Sequence, residues 1–401
     1  MTTASDDQLL GWLARHEAGI AELLQRLVDA DSGTYDKSGV DAAGAILTEF
    51  WRAQGLEVRT HPHLTFGDGI SGHLAAADGS TDRPILLLGH RDTVFPKGEP
   101  SRRPFHVANG RGYGPGVADM KSGLAIEAYV IAAFAACGRS HAPITMLTTS
   151  DEEIASPSSR PLIEDFARNS RVVFNAEPSR VADALASAGN RQTQVITRQR
   201  KGGVFLKAEV TGKAAHSGAH YDRGRSAILD LAQKVAPLHA LTDLPRGVSV
   251  NVGIIGGGQT VNTIAPSAFA EIDLRYVEPA QRAGMIDAIR AIVERPVVDG
   301  TSAMLTISGE FLPLTESDDS RRLLDIYTRA GARLGIEVTA EFTGGCADSG
   351  LTAAVGCPTL CSLGPMGGGG HTPDEYVEMA SLLTAAQTLA LAVAEVARTP
   401  R

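Results

Sequence analysis

The first part of the chain alternates between helix-like and strand-like patterns of hydrophobic residues. Apolar residues recur at helical spacing over residues 9–27 and again over 40–54, where Gly55 ends the pattern. Residues 84–89 are apolar on both faces, which is typical of a strand at the buried centre of a parallel sheet. Further helices and strands are predicted, alternately, at 121–136, 144–148, 160–169 and 171–175. This alternation predicts an α/β sheet with helices on both faces.

The pattern changes near Gln192. Half-buried strands are predicted at 194–198, 204–210, 248–255, 268–276 and 303–308, and helices at 226–236 and 280–293. Two helices on one antiparallel sheet form an α+β unit. From about Ser317 the helix–strand alternation resumes and continues to a C-terminal helix. We therefore predict one domain with a mixed, mainly parallel sheet, formed by 1–192 and 310–401, and an α+β domain inserted into it at 193–309.

The composition excludes several classes of protein. The chain has 401 residues, of which 43% are hydrophobic, and its 46 acidic and 37 basic residues give a formal net charge of -9. A nucleic-acid binder would need a basic surface to neutralise phosphates, so no nucleic-acid partner is expected. Residues 1–10 lack the basic and apolar regions of a signal peptide, and no uninterrupted apolar run reaches the ~18 residues of a membrane span. Four cysteines without paired spacing fit a reducing, cytoplasmic setting.

Residues with metal-binding side chains gather at the ends of the predicted parallel strands. His90 and Asp92 follow the strand at 84–89, and in an extended chain their side chains lie on the same side. One can then bind a metal while the other orients it. Other candidates follow the next strands or lie in loops: Asp119, Glu152, Glu153, Glu177 and, after the glycine run 367–370, His371. In open α/β sheets, sites lie outside the carboxyl ends of the strands, which is why we group these residues.

Each of these residues also has an ordinary structural interpretation. A single histidine is usually a surface or hydrogen-bonded core residue, and Asp-Glu-Glu is usually a solvated turn. Carboxylates that converge without a cation repel one another, so a metal is the natural compensation. A set of two histidines and three carboxylates suits a pair of zinc-like ions with open positions for water.

Six motifs in a fixed order resemble a known family. They are Gly-His-Arg-Asp-Thr-Val at 89–94, Ala-Asp-Met-Lys-Ser-Gly at 118–123, Asp-Glu-Glu at 151–153, Glu-Pro-Ser at 177–179, Gly-Lys-Ala-Ala-His-Ser-Gly at 212–218 and Gly-His-Thr at 370–372. The chain resembles the zinc-dependent aminoacylase and carboxypeptidase superfamily, which includes acetylornithine deacetylase, succinyl-diaminopimelate desuccinylase and glutamate carboxypeptidase. Asp-Leu-Arg-Tyr at 273–276 and Thr-Gly-Gly-Cys-Ala-Asp at 343–348 are most similar to the glutamate carboxypeptidase subgroup.

The resemblance implies two divalent metal ions, zinc in the first place and cobalt or manganese as alternatives. Asp119 would bridge both ions. His90 and Glu177 would complete one site, and Glu153 and His371 would complete the other.

The resemblance also implies the catalytic roles. Glu152 would be the general base, which takes a proton from the water between the metals and returns it to the leaving amine. Asp92 would orient His90. The division of labour between Glu152 and Glu153 comes from the resemblance, because spacing does not decide it. His216, on the inserted lid and dimerisation domain, would reach the partner subunit's site and hold the oxyanion; without the motif it would be taken for a loop histidine with a structural hydrogen bond.

Substrate contacts are implied at two further positions. Asn262 and Arg275 match family positions that hold the substrate carboxylate, and the planar fork of an arginine suits that task. An exposed strand charge is the alternative interpretation of Arg275. Two segments depart from the family pattern: Gly-Pro-Gly at 114–116 replaces Gly-Arg-Gly, and Cys346 stands where threonine is common.

These observations predict a metal-dependent hydrolase that cleaves the amide bond of an N-acyl or peptidyl amino acid. The expected partners are a small molecule or short peptide with a carboxylate and, from the resemblance, a second copy of the chain in a homodimer. A metal-dependent deaminase, or a carbamoyl or amidine hydrolase of a small acid, is the alternative on the same scaffold. A non-catalytic scaffold is disfavoured, because every predicted ligand and the base are present.

Overall fold

The computed structural model describes residues 3–180 and 193–399, which form two compact units. The first unit consists of Met1–Gln199, Leu314–Thr343 and Ala347–Arg401, and the second of Arg200–Pro313 and Gly344–Cys346. The structure and the prediction differ at the edges of the insert. Residues 193–199 belong to the first unit, because their strand pairs with other strands of that unit. Gln192, where the sequence pattern changes, lies outside the described residues.

The helices begin and end as follows: α1 Asp6–Arg15, α2 Glu17–Asp29, α3 Lys37–Ala53, α4 Glu99–Arg102, α5 Ser122–Cys137, α6 Arg160–Arg168, α7 Ala227–His239, α8 Gln281–Glu294, α9 Asp318–Arg333, α10 Ser349–Ala354 and α11 Ala380–Arg398. The strands are β1 Glu57–His61, β2 Gly69–Leu74, β3 Ile85–His90, β4 His106–Ala108, β5 Arg111–Tyr113, β6 Ile144–Thr149, β7 Val172–Asn175, β8 Ser179–Arg180, β9 Thr193–Arg200, β10 Gly202–Thr211, β11 Ser249–Gly257, β12 Ser267–Tyr276, β13 Ser302–Phe311, β14 Glu337–Thr343, β15 Thr359–Leu360, β16 Met366–Gly368 and β17 Tyr376–Glu378.

The main sheet of the first unit has six strands in the order β1-β2-β6-β3-β7-β15. Strand β3 runs parallel to β6 and β7, and β7 runs parallel to β15, whereas β1 and β2 are antiparallel. Every residue of β3 and β6 is buried, as expected for the centre of a sheet covered on both faces. The predicted mixed, mainly parallel sheet is thus confirmed.

Two long apolar helices form much of the core of the first unit. Helix α5 is buried almost all round, and α11 packs against it. By length and composition, the helical segment Val117–Cys137, which ends with α5, and α11 are apolar enough to cross a membrane, but most of each lies inside the protein, as in a core helix. The single helix predicted over 9–27 is wrong: the helix breaks at His16, which ends α1 and begins α2 and whose ring stacks on Trp12 at 3.8 Å.

A second sheet of the first unit was not predicted. Its seven strands run in the order β14-β9-β8-β16-β17-β5-β4. Most of them have only two or three residues, too few for an alternating pattern to be recognised. This sheet contains the first two residues of the glycine run 367–370, where β16 pairs with β17. A Cβ on Gly367 would lie 2.6 Å from the carbonyl oxygen of Tyr376, so only glycine fits there.

The second unit is the predicted α+β fold. Its antiparallel sheet has the order β11-β12-β10-β13, and α7 and α8 cover one face. Alternate residues of β10 and β12 enter a core that α7 and α8 complete: Val204, Leu206, Ala208, Val210, Leu231, Ala270, Ile272, Leu274 and Ile289. Lys234 and Asp230 of α7 form a buried ion pair. The carboxylate of Asp230 also accepts hydrogen bonds from the backbone N–H groups of Val297 and Val298, in the loop after α8.

Candidate metal centre

Three parallel strands of the main sheet end at the same edge and carry the first candidate residues there. Strand β3 ends at His90, which lies beside Thr149 at the end of β6. Leu88 of β3 lies beside Asn175, which ends β7 two residues before Glu177. Because parallel strands place their carboxyl ends together, residues far apart in sequence meet at this edge.

Five predicted ligands form two groups that share one carboxylate. The ligand atoms of His90, Asp119 and Glu177 lie within 4.8 Å of one another, with His90 Nε2 at 3.2 Å from Asp119 Oδ1 and 3.7 Å from Glu177 Oε1. Those of Asp119, Glu153 and His371 form the second group. His371 Nε2 lies 3.1 Å from Glu153 Oε2 and 3.4 Å from Asp119 Oδ2. Asp119 thus turns one oxygen toward each group.

The electrostatics of the two groups fit bound cations. Burial lowers the pKa of His90, but the carboxylates of Glu152 and Asp119 raise it well above its ordinary value. Hydrogen bonds with Asp119 and Glu153 raise the pKa of His371 to about 10. Burial raises the pKa of Glu152 and of Glu153, and their carboxylate neighbours add to the effect. The centre therefore carries more negative charge than its histidines offset, which a pair of divalent cations would compensate. Imidazole nitrogens and carboxylate oxygens also suit zinc.

Asp92 connects the ligands to the loop that carries Glu152 and Glu153. It is fully buried, and its Oδ1 lies 3.3 Å from His90 Nδ1. Its carboxylate also accepts hydrogen bonds from the backbone N–H groups of Glu152 at 3.2 Å and Glu153 at 3.3 Å, and from the hydroxyl of Thr34 at 2.8 Å. One side chain therefore orients both a predicted ligand and the predicted base.

The structure distinguishes the two adjacent glutamates by the direction of their carboxylates, which sequence spacing alone cannot do. They share a single 3-10 turn, Glu152–Ile154, after β6. The carboxylate of Glu153 faces His371 and belongs to the second ligand group. The carboxylate of Glu152 belongs to neither group but lies close to them, with Oε2 at 3.8 Å from His90 Nε2.

Two buried carboxylates support this edge and were not predicted from the sequence. Glu375 accepts hydrogen bonds, each of 2.9 Å, from the backbone N–H groups of Gly116, Ala118 and Asp119, and so fixes the loop that carries the shared ligand. Burial raises the pKa of Glu375 to about 7. The acidic pair Asp-Glu at 374–375 looks like a solvated turn, so its sequence carries no signal for this role.

The second unpredicted carboxylate is Asp348. It accepts hydrogen bonds from the hydroxyls of Ser156 at 2.5 Å and Thr149 at 3.3 Å, on either side of the turn with Glu152 and Glu153. Burial raises its pKa to about 7. The family resemblance of the segment at 343–348 is the signal in the sequence that points to this residue.

His216 and Asn262, which lie in the second unit, are neighbours on exposed loops. The carbonyl oxygen of Asn262 accepts hydrogen bonds from the backbone N–H and the hydroxyl of Ser217, each at 3.0 Å. His216 Nδ1 accepts from the N–H groups of Gly218 and Ala219 at 3.2 Å. With Nδ1 used in this way, Nε2 is the ring atom that carries the proton and remains exposed.

Arg275, also in the second unit, is not the exposed strand charge of the alternative interpretation. Its side chain is only 25% exposed, and its Nε donates to Asp273 at 2.8 Å. Nη1 donates to the sulfur of Cys346 at 2.7 Å, and the guanidinium lies over the ring of Phe205 at 5.4 Å. The departure from the family pattern at Cys346 thus directly contacts a predicted substrate-binding residue.

A mixed sheet whose edge gathers two ligand groups around a shared carboxylate, with a free glutamate beside them, defines a metal-dependent hydrolase. The chain belongs to Peptidase family M20/M25/M40, whose family model matches residues 86–395. It is similar to carboxypeptidase G2 of Pseudomonas sp. (strain RS-16), with 28% identity over 94% of this chain and 89% of that protein. It is also similar to succinyl-diaminopimelate desuccinylase of Dechloromonas aromatica (strain RCB), with 27% identity over 90% and 94% of the two chains.

The fold agrees with solved structures. The alignment with the structure of the di-peptidase Dug1p from Saccharomyces cerevisiae includes 100% of this chain and 100% of that chain, with a TM-score of 0.77 and 14% sequence identity. The predicted family and enzyme class are therefore confirmed: the chain is a metallopeptidase or amidohydrolase acting on peptide or N-acyl amino acid bonds. Membership implies divalent metal ions and small peptide or amino-acid substrates. The identity of the metal, the roles of single residues and the homodimer stay predictions.

Proposed function

We propose that the protein hydrolyses the amide bond between an acyl or peptidyl group and an amino acid with a free carboxylate, as in a glutamate carboxypeptidase. One observation carries this proposal: two ligand groups share Asp119, and Glu152 lies beside them without belonging to either. The similarity to carboxypeptidase G2 along 94% of the chain supports an amino acid as one product.

The residues of the centre fit two divalent ions. His90, Asp119 and Glu177 would hold one, and Asp119, Glu153 and His371 the other. We propose zinc for both, with cobalt or manganese as alternatives. When bound, the ions supply Lewis acidity toward the scissile carbonyl and a lowered pKa for water.

Glu152 moves the proton in this proposal. Its carboxylate accepts a proton from the attacking water and donates it to the nitrogen of the leaving amine. Hydrogen bonds from its own N–H and that of Glu153 to Asp92 hold the turn, so the carboxylate is positioned before substrate binds. Its burial excludes bulk water, which would otherwise compete for the proton.

Arg275 and Asn262 bind the substrate carboxylate in this proposal. Asp273 and Phe205 fix the plane of the Arg275 guanidinium, so two of its N–H groups are presented in a set direction. His216 of the partner subunit in a homodimer donates from Nε2 to the developing oxyanion. We also propose that the protein works in the cytoplasm.

The test measures amino-acid release from N-acyl and dipeptide substrates ending in glutamate. We expect a chelator to abolish turnover and zinc, cobalt or manganese to restore it. Glu152→Gln keeps the shape of the side chain but accepts no proton, so kcat should fall by about 100-fold or more with the metal content unchanged. Near-full turnover in metal-loaded Glu152→Gln would show that the base is assigned wrongly. Ammonia release without amino-acid release would favour the alternative deaminase.

The shared site has its own test. Glu152→Gln and His216→Ala proteins are each expected to be inactive, and a mixture allows hybrid dimers to form. If His216 serves the partner's centre, one site of each hybrid combines an intact base with an intact histidine, and part of the activity returns. A mixture as inactive as its components would contradict the shared site.

A further inference from the structure

A cavity of about 500 Å³ lies in the first unit, at the edge of the main sheet opposite the metal centre. Strands β3, β7 and β15 run parallel and begin there, and Arg83, Arg171 and Pro358, one or two residues before these strands, line the cavity. Backbone hydrogen bonds join the three strand starts, from the N–H of Arg171 to the carbonyl of Pro84 at 2.9 Å and from that of Val173 to Pro358 at 2.8 Å. The volume of the cavity lies in the range of ~300–1,000 Å³ that is typical of small-molecule pockets.

The cavity is separate from the metal centre. Strand β3 begins at Ile85, two positions after the lining residue Arg83, and ends at His90, so its rise of ~3.3 Å per residue makes it about 17 Å long. A small molecule in the cavity therefore does not reach the ligand groups or Glu152, and the proposed function gives the cavity no role.

Positive charge gathers around this cavity. Four of its lining residues are arginines, namely Arg83, Arg168, Arg171 and Arg322, and Asp319 is the one acidic side chain among the described residues that line it. The chain as a whole carries a formal net charge of -9, so the cavity is opposite in sign to the protein around it. Guanidinium groups bind phosphates and carboxylates through parallel N–H groups, so this cluster favours an anionic ligand.

Two of the four arginines form exposed ion pairs within their own helices. Arg168 pairs with Glu164 in α6, and Arg322 pairs with Asp319 in α9. The arginine side chains are 54% and 74% exposed, respectively. Exposed pairs of this kind contribute little to stability, so an anion can replace the carboxylate partner at small cost.

The other two arginines have different surroundings. Arg83 is exposed, and its side chain forms no ion pair or hydrogen bond with any residue of the described ranges. Arg171 is half-buried, and its Nη2 donates to the carbonyl oxygen of Thr399 at 2.6 Å. This hydrogen bond orients the guanidinium of Arg171 in the wall of the cavity before a ligand arrives, which lowers the cost of binding.

The cavity also has an apolar wall. Leu323, Val396 and Ala167 are almost fully buried there, and the half-buried Ile326 and Val172 extend the same wall. A ligand with an apolar body gains free energy by removing the exposed part of this surface from water. Charged and apolar groups thus line one cavity, which suits a ligand that has both.

We propose that this cavity binds a phosphomonoester with an apolar body, at a site apart from the metal centre. A phosphomonoester carries a charge of about -1.5 to -2 near neutral pH and three strong acceptor oxygens, so it can accept hydrogen bonds from more than one arginine. A single carboxylate brings less charge and fewer acceptors. Inorganic phosphate matches the arginines but leaves the apolar wall in water. The inference is independent of the proposed function.

The test measures the binding of phenyl phosphate, inorganic phosphate and benzoate to the metal-loaded protein by calorimetry. We expect phenyl phosphate to bind at least about tenfold more tightly than either of the others, because it alone combines the doubly charged group with a ring. The double variant Arg83→Gln/Arg322→Gln removes two exposed charges and should weaken phenyl phosphate binding by about tenfold or more. Arg26→Gln/Arg59→Gln is the matched control, since these arginines are 50% and 71% exposed and lie outside the cavity.

Phenyl phosphate can also reach the metal ions, and the variants separate the two places. An anion on the metals is insensitive to exposed arginines at the opposite edge of the sheet, so equal affinities of the wild type and the cavity variant would overturn the inference. Equal weakening in the control variant would also overturn it, because the loss would then follow from net charge alone. Benzoate or inorganic phosphate bound as tightly as phenyl phosphate would show that the ligand class is wrong. Amino-acid release should be the same in both double variants and the wild type, which shows that all three are folded.

Discussion

Replacing Glu375 by glutamine tests whether a carboxylate outside the ligand groups fixes the metal centre. Its Oε1 accepts from the N–H groups of Ala118 and Asp119 and its Oε2 from that of Gly116, all at 2.9 Å. Glutamine keeps an oxygen at the Oε1 position and with it the hydrogen bonds from Ala118 and Asp119. At the Oε2 position it has an NH₂ group, which cannot accept the hydrogen bond from the N–H of Gly116. The backbone of the Asp119 loop then loses one partner and meets a repulsive one.

The expected cost follows from these three bonds. A hydrogen bond to a charged group contributes about 1.5–3 kcal/mol, and a neutral one contributes about 1 kcal/mol. Two bonds that weaken and one that is lost amount to about 2.5–7 kcal/mol. The neutral glutamine avoids the burial cost that raises the pKa of the carboxyl, so we expect a net decrease of about 2–4 kcal/mol in the free energy of unfolding. Because the loop carries the shared ligand Asp119, we also expect weaker metal binding.

The assay is urea unfolding at pH 8, above the pKa of about 7 of the Glu375 carboxyl, so that the wild-type side chain is ionised. Metal content after dialysis is measured on the same samples. Glu378→Gln is the matched control, since Glu378 pairs with the 43% exposed Arg111 and should contribute at most ~1 kcal/mol. Equal stabilities of the Glu375 and Glu378 variants, with equal metal retention, would refute the reasoning.

The remaining predictions concern other parts of the two units. Lys234→Met leaves the buried carboxylate of Asp230 without its cation and should lower the free energy of unfolding by about 3–5 kcal/mol in urea, and an unchanged midpoint would contradict this. Although burial opposes it, contacts with Lys234 and backbone N–H groups hold the pKa of Asp230 below its ordinary 3.8. The stability from this lowered pKa is present above about pH 4 and is lost as the pH falls through the folded pKa, so unfolding curves of wild type and an Asp230→Asn variant should approach each other in acid. In Gly116→Ala, the alanine has to adopt the positive φ of 73° at this position, and its Cβ lies 2.5 Å from Thr93 Cγ2. The substitution should therefore lower the free energy of unfolding by more than ~2 kcal/mol and reduce the metal content. Gly55→Ala, at φ 77° with open space, is its control and should cost only ~1 kcal/mol without a change in metal content; equal effects of the two would show that crowding at Gly116 is unimportant.

The sequence predicts those parts of the molecule whose order follows from a local pattern. The buried run in β3 and the alternation in β10 persist over enough residues to identify a central strand and a half-buried one. The sequence does not show the break at His16, because apolar residues on both sides keep nearly the same helical phase. The second sheet has no comparable signal, because most of its strands are too short to show a period.

The candidate site likewise contains residues that the sequence predicts and residues that it does not. His90 and Glu177 follow strands that pattern alone identifies, so their convergence could be expected. Glu375 acts on backbone N–H groups more than 250 positions away, and no spacing in the sequence indicates such a partner. The different orientations of Glu152 and Glu153 depend on the 3-10 turn after β6 and became visible only in three dimensions.

The several contacts of Asp92 make its contribution inseparable from that of its neighbours. A substitution there disturbs the imidazole of His90 and the turn with Glu152 at once, so its effect on turnover measures neither contact alone. In a double-mutant cycle on turnover, the Asp92–Glu152 double variant should lose far less activation free energy than the sum of the two single variants. The Asp92 substitution already displaces the Glu152 carboxylate, so removing that carboxylate has little further effect.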